Sequence, residues 1–393
     1  MKKFLLLLPL GMLATVLSAQ IPLVESRFAF DPELAYDPAI PAPETFLGYK
    51  LGEDKTLYAN TVAYFKALDA ASDKVFLNEY GKTYEGRALI NVVITSPENH
   101  KNIESIRQAH LKLTDPAGIS KAEAVMQVAY RLAAATDAQT KQVLDNSVVI
   151  LYICVNPDGR DRYIYWYKSV ARNIVASEPA DLEHYEPWPN GRTNHYWFDL
   201  NRDWVWGIHP EMRGLTAEYQ KWMPQVHVDY HEQGYNSNYF TMPGTTPRNL
   251  LLPDRYEAWS DTFGMANARA FDKNRINYFT REAFDFFYPG YGSSYPSVLG
   301  AIGMLTEQGG IGGGRAVMTE EGTVQTFRQR IFDHYTTSIA TIFKSAEHRQ
   351  KLLRYSYEAW TSTGSKSPVK AYVLPAEQGG YVEDVIEILL RQG

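Results

Sequence analysis

The sequence predicts an α/β domain. Three observations carry that expectation: strand-like apolar runs alternate with segments of helical spacing, turn residues separate them, and no internal repeat breaks the order. Residues 55–68 place apolar side chains at helical intervals. Ala88 to Thr95 is rich in β-branched residues and reads as a strand. Val125 to Ala135 combines Ala, Met and Leu as a helix does. Val148 to Val155 is a continuous apolar run of strand length, closed by the turn chemistry of Asn156-Pro157-Asp158-Gly159. A helix from Pro210 to Met223 should lead into a strand from Gln225 to His231. A further helix is expected over 255–274, a short strand over Gly300 to Leu305, and a last long helix over Thr319 to Lys344.

The two ends read differently from this middle. Met1-Lys2-Lys3 is basic, Phe4 to Leu17 is apolar, and small residues follow, so residues 1–19 read as a secretory signal. The run of 14 residues is short of the ~20 that span a bilayer, and no Cys follows it to carry a lipid. A secreted or periplasmic location is the expectation. At the other end Thr361 to Pro368 is small and polar and reads as a linker. Lys370 to Leu374 resembles a strand and Tyr381 to Leu390 a helix, so residues 361–393 are expected to be a linker and the start of a truncated second domain, with docking on the first domain as the alternative.

Composition narrows the class. An apolar share of 45% supports a real core, and a net charge of −6 gives no electrostatic reason to expect nucleic acid. The single Cys154 lies in an apolar run and reads as a buried thiol. Aromatic residues cluster between Tyr163 and Trp206, as in a sugar or peptide groove or in a packed core.

Three constellations carry chemistry. In Gln225 to Gly234 the alternation of a strand sets His227, Asp229 and His231 on one face, which suits a transition metal and equally a hydrogen-bonded polar cluster. In Asp199-Leu200-Asn201-Arg202-Asp203-Trp204 the arginine fork can hold a carboxylate or sit in a surface ion pair. Glu307 ends an apolar strand and is followed by glycines, the setting of a general base or of a solvated strand end.

In order along the chain, Tyr84-Glu85-Gly86-Arg87, Asn156-Pro157-Asp158-Gly159, Asp199 to Trp204, His231 and Glu307 resemble the zinc carboxypeptidase family of the carboxypeptidase A type, over about residues 45–345. The resemblance implies one domain over residues 40–350, with a mixed, mostly parallel twisted sheet and helices on both faces. It implies hydrolysis of C-terminal residues from peptides, cell-wall peptides among them, with one Zn²⁺ that polarises the scissile carbonyl and activates water. By the same resemblance His231 is the third zinc ligand, and Asn201 and Arg202 grip the substrate carboxylate. Arg172 stabilises the oxyanion and Glu307 is the catalytic glutamate. Tyr288 is the mobile substrate-side tyrosine, with Tyr291 and Tyr295 as competitors.

One departure stands out. The family's first two zinc ligands come as His-x-x-Glu at a strand end before a helix, and this sequence contains no His-x-x-Glu. The helix is legible from Glu123 onward, but Thr114 to Ala122 has neither His nor a strand-like run, so one strand of the sheet is expected to be missing. Two function classes follow: a metallocarboxypeptidase, or a catalytically inactive protein that binds peptide carboxylates.

Overall fold

The computed structural model describes residues 21–111, 118–120, 122–175, 177–366, 369, 371–375 and 380–393. The segment read as a signal, residues 1–19, lies outside them. Eight strands form one mixed sheet: β1 (Val75–Lys82), β2 (Ala88–Ile94), β3 (Gly118–Ser120), β4 (Val149–Tyr152), β5 (Val226–Gly234), β6 (Tyr239–Phe240), β7 (Tyr278–Phe279) and β8 (Ile302–Ile311). Their spatial order is β1-β2-β4-β3-β5-β8-β6-β7. The central four, β4-β3-β5-β8, run parallel, while β1, β2 and β6 join by antiparallel pairing.

Alternation along these strands feeds two cores. Val92, Ile94, Val149, Leu151, Val226, Val228 and Tyr230 pack toward one face. There they meet the helices Tyr58–Ala71, Ala122–Ala134, Tyr256–Asn274 and Phe327–Lys366. Val93, Ile150 and Tyr152 point the other way, onto Met212, Leu215, Tyr219 and Trp222 of the helix Pro210–Trp222. Helices on both faces cover the parallel centre, as a sheet without a wet side requires.

The expected gap in the sheet is bridged. Gly118–Ser120 form β3, with Ile119 opposite Leu151 on one side and Val228 on the other. Three residues suffice because each central backbone group finds a partner on both flanks, so β4 and β5 do not become bare edges. The sequence offered no apolar run here because a strand this short carries almost no periodic signal. Asn156-Pro157-Asp158-Gly159 opens a helix, Pro157–Val170, in which the Asn156 side chain accepts from the Gly159 amide at 3.1 Å.

The last long helix starts later and ends later than the sequence suggests, Phe327–Lys366. It runs through residues 361–366, which read as linker. Residues 371–375 form no strand. The final helix, Gly380–Gln392, sets its end on the main body. The Arg391 guanidinium donates to the Gly207 carbonyl at 2.6 Å, and Gln392 Nε2 donates to the Val205 carbonyl at 2.7 Å. Among the described residues, no helix is long and apolar enough to cross a membrane.

Candidate functional site

The carboxyl end of β5 builds the site. Residues Val226, Val228 and Tyr230 are fixed in the core, so His227, Asp229 and His231 face the opposite side. His231 lies beside Glu307 of β8 in the parallel register. A turn at Leu200–Arg202, capped by the Asp199 carboxylate on the Asn201 amide at 2.9 Å, brings Asn201 over this strand end.

The Asn201 side chain is fully used. Its Nδ2 donates to Asp229 Oδ2 at 3.1 Å and lies 2.7 Å from His231 Nε2, while its oxygen accepts from the Gly292 amide at 2.7 Å. Only glycine fits at 292, because a Cβ there would stand 2.4 Å from Asp229 Oδ2.

His231 is engaged on both nitrogens. Nε2 is 2.7 Å from Asp229 Oδ2, and Nδ1 is 3.1 Å from the Arg192 guanidinium. Arginine can only donate, so Nδ1 accepts and the ring proton sits on Nε2, pointed at the Asp229 carboxylate. Arg192 is itself held by Asp199 at 3.1 Å. Burial pushes the Asp229 carboxyl up, but His231, His227 and Arg192 outweigh it and hold it below the usual carboxylate range.

His227 has a different fate. It packs edge-on against Trp204 and Tyr219, with ring centroids 5.4 Å and 5.8 Å away, and these two rings also pack on Tyr295. Its Nδ1 is buried without a hydrogen-bond partner, and burial lowers its pKa to about 4. Cys154 is half-buried, and burial pushes its thiol up to about 11, which keeps it unreactive.

The residues singled out from the sequence divide into two groups. His231 and Asn201 come together, while Glu307 is buried opposite His231 in the register of the neighbouring strand, outside the cavity lining. Arg202 stands at the rim, its guanidinium 4.6 Å from the Tyr291 ring centre and NH1 donating to the Asn201 carbonyl at 2.7 Å. Tyr288 is next to it, donating to the Arg202 carbonyl at 3.3 Å and accepting from Trp206 Nε1 at 2.7 Å. Tyr295 packs on Trp204 and Tyr219, the two rings that flank His227.

Arg172 does not join them. It is an exposed side chain paired with Asp181 at 2.7 Å, and its carbonyl accepts from Arg315. The arginine that faces His231 is Arg192, which the sequence reading missed. Its signal was proximity, since it precedes the Asp199 to Trp204 segment by a few residues while Arg172 lies beyond a long insertion.

Arg192, Asp199, Asn201, Trp204, Asp229 and His231 line a cavity of about 650 Å³. A larger cavity of about 880 Å³, lined by Arg269, Lys344 and Lys351 among others, shares none of these residues. The cluster does not fit a catalytic zinc, which takes three protein ligands and a water. One imidazole and one carboxylate of ligand type converge, the imidazole has no free lone pair, and a guanidinium occupies its Nδ1 side. Among the described residues no group of three or more His, Cys, Asp or Glu is arranged to hold a metal.

Comparison with known proteins bears on the family. A family model described as zinc carboxypeptidase matches residues 61–238. The fold agrees with the match. A metallo-carboxypeptidase from Burkholderia cenocepacia superposes with a TM-score of 0.51 at 14% identity, over 75% of this chain and 68% of the other. A metallo-carboxypeptidase from Pseudomonas aeruginosa in complex with (2-guanidinoethylmercapto)succinic acid gives 0.50 at 14% identity, over 75% and 68%. The carboxypeptidase A from Helicoverpa armigera gives 0.50 at 15% identity, over 78% and 80%. No curated protein matches by sequence. The family model that matches is one of zinc carboxypeptidases, and the fold is shared with metallo-carboxypeptidases.

Proposed function

We propose that this chain binds peptides by their C-terminal carboxylate without hydrolysing them. One observation carries the reading: His231, the residue that resembles a zinc ligand, has both ring nitrogens engaged, with Arg192 on Nδ1 and Asp229 on Nε2. The carboxylate grip falls to Arg202. Of its nitrogens only NH1 has a hydrogen-bond or ion-pair partner among the described residues, which leaves a fork open to a planar anion at a half-exposed rim. Asn201 acts as a positioning residue, since its Nδ2 donates to Asp229 and its oxygen accepts from the Gly292 amide. The succinic acid derivative held by the Pseudomonas aeruginosa relative is a carboxylate ligand of the same class.

Titration calorimetry with a peptide and its C-terminally amidated analogue tests this. The acid is expected to bind, and Arg202→Ala to weaken it by ~2 kcal/mol, or roughly 30-fold. Equal binding of acid and amide would sink the reading.

A second reading, zinc-dependent release of C-terminal residues with Glu307 as general base, is favoured by the adjacency of Glu307 and His231 in the sheet. It expects about one tightly held zinc per chain and turnover that Glu307→Gln abolishes; a zinc-free chain without turnover leaves the binding reading alone. Export, to a secreted or periplasmic location where cell-wall peptides are available, is part of the proposal and rests on residues 1–19. N-terminal sequencing of the mature protein from the producing cell checks it, and an intact Met1 would refute cleavage.

A further inference from the structure

Beside the cavity, the loop that supplies Arg192 holds large rings out in water. Trp188 is 72% exposed and Trp197 is 54% exposed. Their ring centres lie 4.6 Å apart at a tilt of 60°. Two indoles left in solvent forgo the gain of burial, and contiguous aromatic surface of this kind marks a place where something docks.

The backbone of Trp197 is held in an unusual conformation. Trp197 has φ of 68°, in the left-handed region that strains a residue carrying a bulky side chain. Asn194 holds it in place. That residue is fully buried, its side-chain oxygen accepts from the amides of Tyr196 and Phe198 at 3.0 Å each, and its carbonyl accepts from the Trp197 amide at 3.2 Å. Arg162 anchors the same Asn194 carbonyl at 2.8 Å.

Position relates the pair to the rest of the site. Trp197 precedes Arg202 by five residues and Trp188 precedes Arg192 by four. Full extension is ~3.6 Å per residue, so Trp197 lies within about 18 Å of Arg202 along the backbone. A peptide held by its carboxylate at Arg202 reaches the two rings within about five of its own residues. Rings tilted against each other leave an open notch, which suits a third ring packing edge to face.

We infer that Trp188 and Trp197 form a shelf for an aromatic side chain of the bound peptide, upstream of its C-terminal carboxylate. The ligand class is therefore peptides with an aromatic residue within about five positions of the C-terminus. The inference rests on the carboxylate-binding reading, and its test separates the two.

Calorimetry would compare N-acetyl-pentaalanine with four analogues, each carrying one phenylalanine at one of the first four positions. At least one analogue is expected to bind the wild-type chain ten-fold or more tighter than pentaalanine. In Trp188→Ala that ratio should fall to near one, and in Trp188→Phe most of it should return, which excludes a merely unfolded variant. Four analogues that bind no better than pentaalanine would overturn the shelf, as would a ratio that survives both Trp188→Ala and Trp197→Ala. Binding of an N-acetylglucosamine trimer with no gain from phenylalanine would overturn it in favour of a sugar surface. Amidated pentaalanine binding as well as the acid would defeat the carboxylate reading alone, since a persisting phenylalanine preference would still support the shelf. Failure of every peptide to bind would defeat both.

Discussion

His227 and His231 sit on the same face of one strand, four residues apart, and the fold gives them opposite lives. His227 is packed against Trp204 and Tyr219, and its Nδ1 is buried without a hydrogen-bond partner. His231 is at the carboxyl end of the parallel strands, where loops converge, and each of its nitrogens meets a charged partner. In an α/β sheet that end is where ligands collect. The residue type and the strand face are shared, so the difference comes from what other elements deliver to each position.

The largest effect expected from breaking this comparison is at His227. The folded chain holds it neutral, with a pKa lowered to about 4 from the usual 6.5, while the unfolded chain takes up a proton below 6.5. Stability from this group is therefore complete above the unfolded value and is lost as pH falls toward 4, by up to ~3 kcal/mol. His227→Leu should remove that pH dependence with little loss at pH 7, since the replaced Nδ1 was unpartnered. Urea unfolding between pH 4 and 7 reads it, and an unchanged slope would show that His227 is not the titrating group.

Asn201→Ala comes next. It strips a donor from Asp229 and an acceptor from the Gly292 amide, and should lower stability by ~1–2 kcal/mol in the same assay. A neutral result would mean that the cluster does not order the strand end. Arg192→Ala should lower stability by less, ~1 kcal/mol or under, because its pair with Asp199 is half-exposed. The sharper readout is nuclear magnetic resonance of the His231 ring nitrogens, where Nδ1 should shift on losing its donor. Arg172→Ala should change stability by under ~0.5 kcal/mol and leave peptide affinity within error. A clear loss of affinity there would restore Arg172 to the site and unseat Arg192.

Much of this architecture was readable in the chain. Val148 to Val155 and Ala88 to Thr95 became β4 and β2 because a strand covered on both faces needs an unbroken apolar run, and no other local structure uses one of that length so well. The helix over 255–274 was found for the same reason, through its periodic apolar face. The three-residue β3 was not legible, since its place depends on two flanking strands rather than on its own residues. The helix continuing through residues 361–366 was hidden by small polar residues that a linker also favours.

By itself the sequence determined the alternating elements, the face shared by His227, Asp229 and His231, and the absence of a His-x-x-Glu motif. Those are local properties, set by side-chain period and residue identity. Only the tertiary structure decided that Arg192 rather than Arg172 meets His231, that Asn201 turns inward, and that His227 is core. Each of those outcomes depends on which loop crosses which strand end, and a contact between residues some 40 positions apart leaves no period in the chain to read.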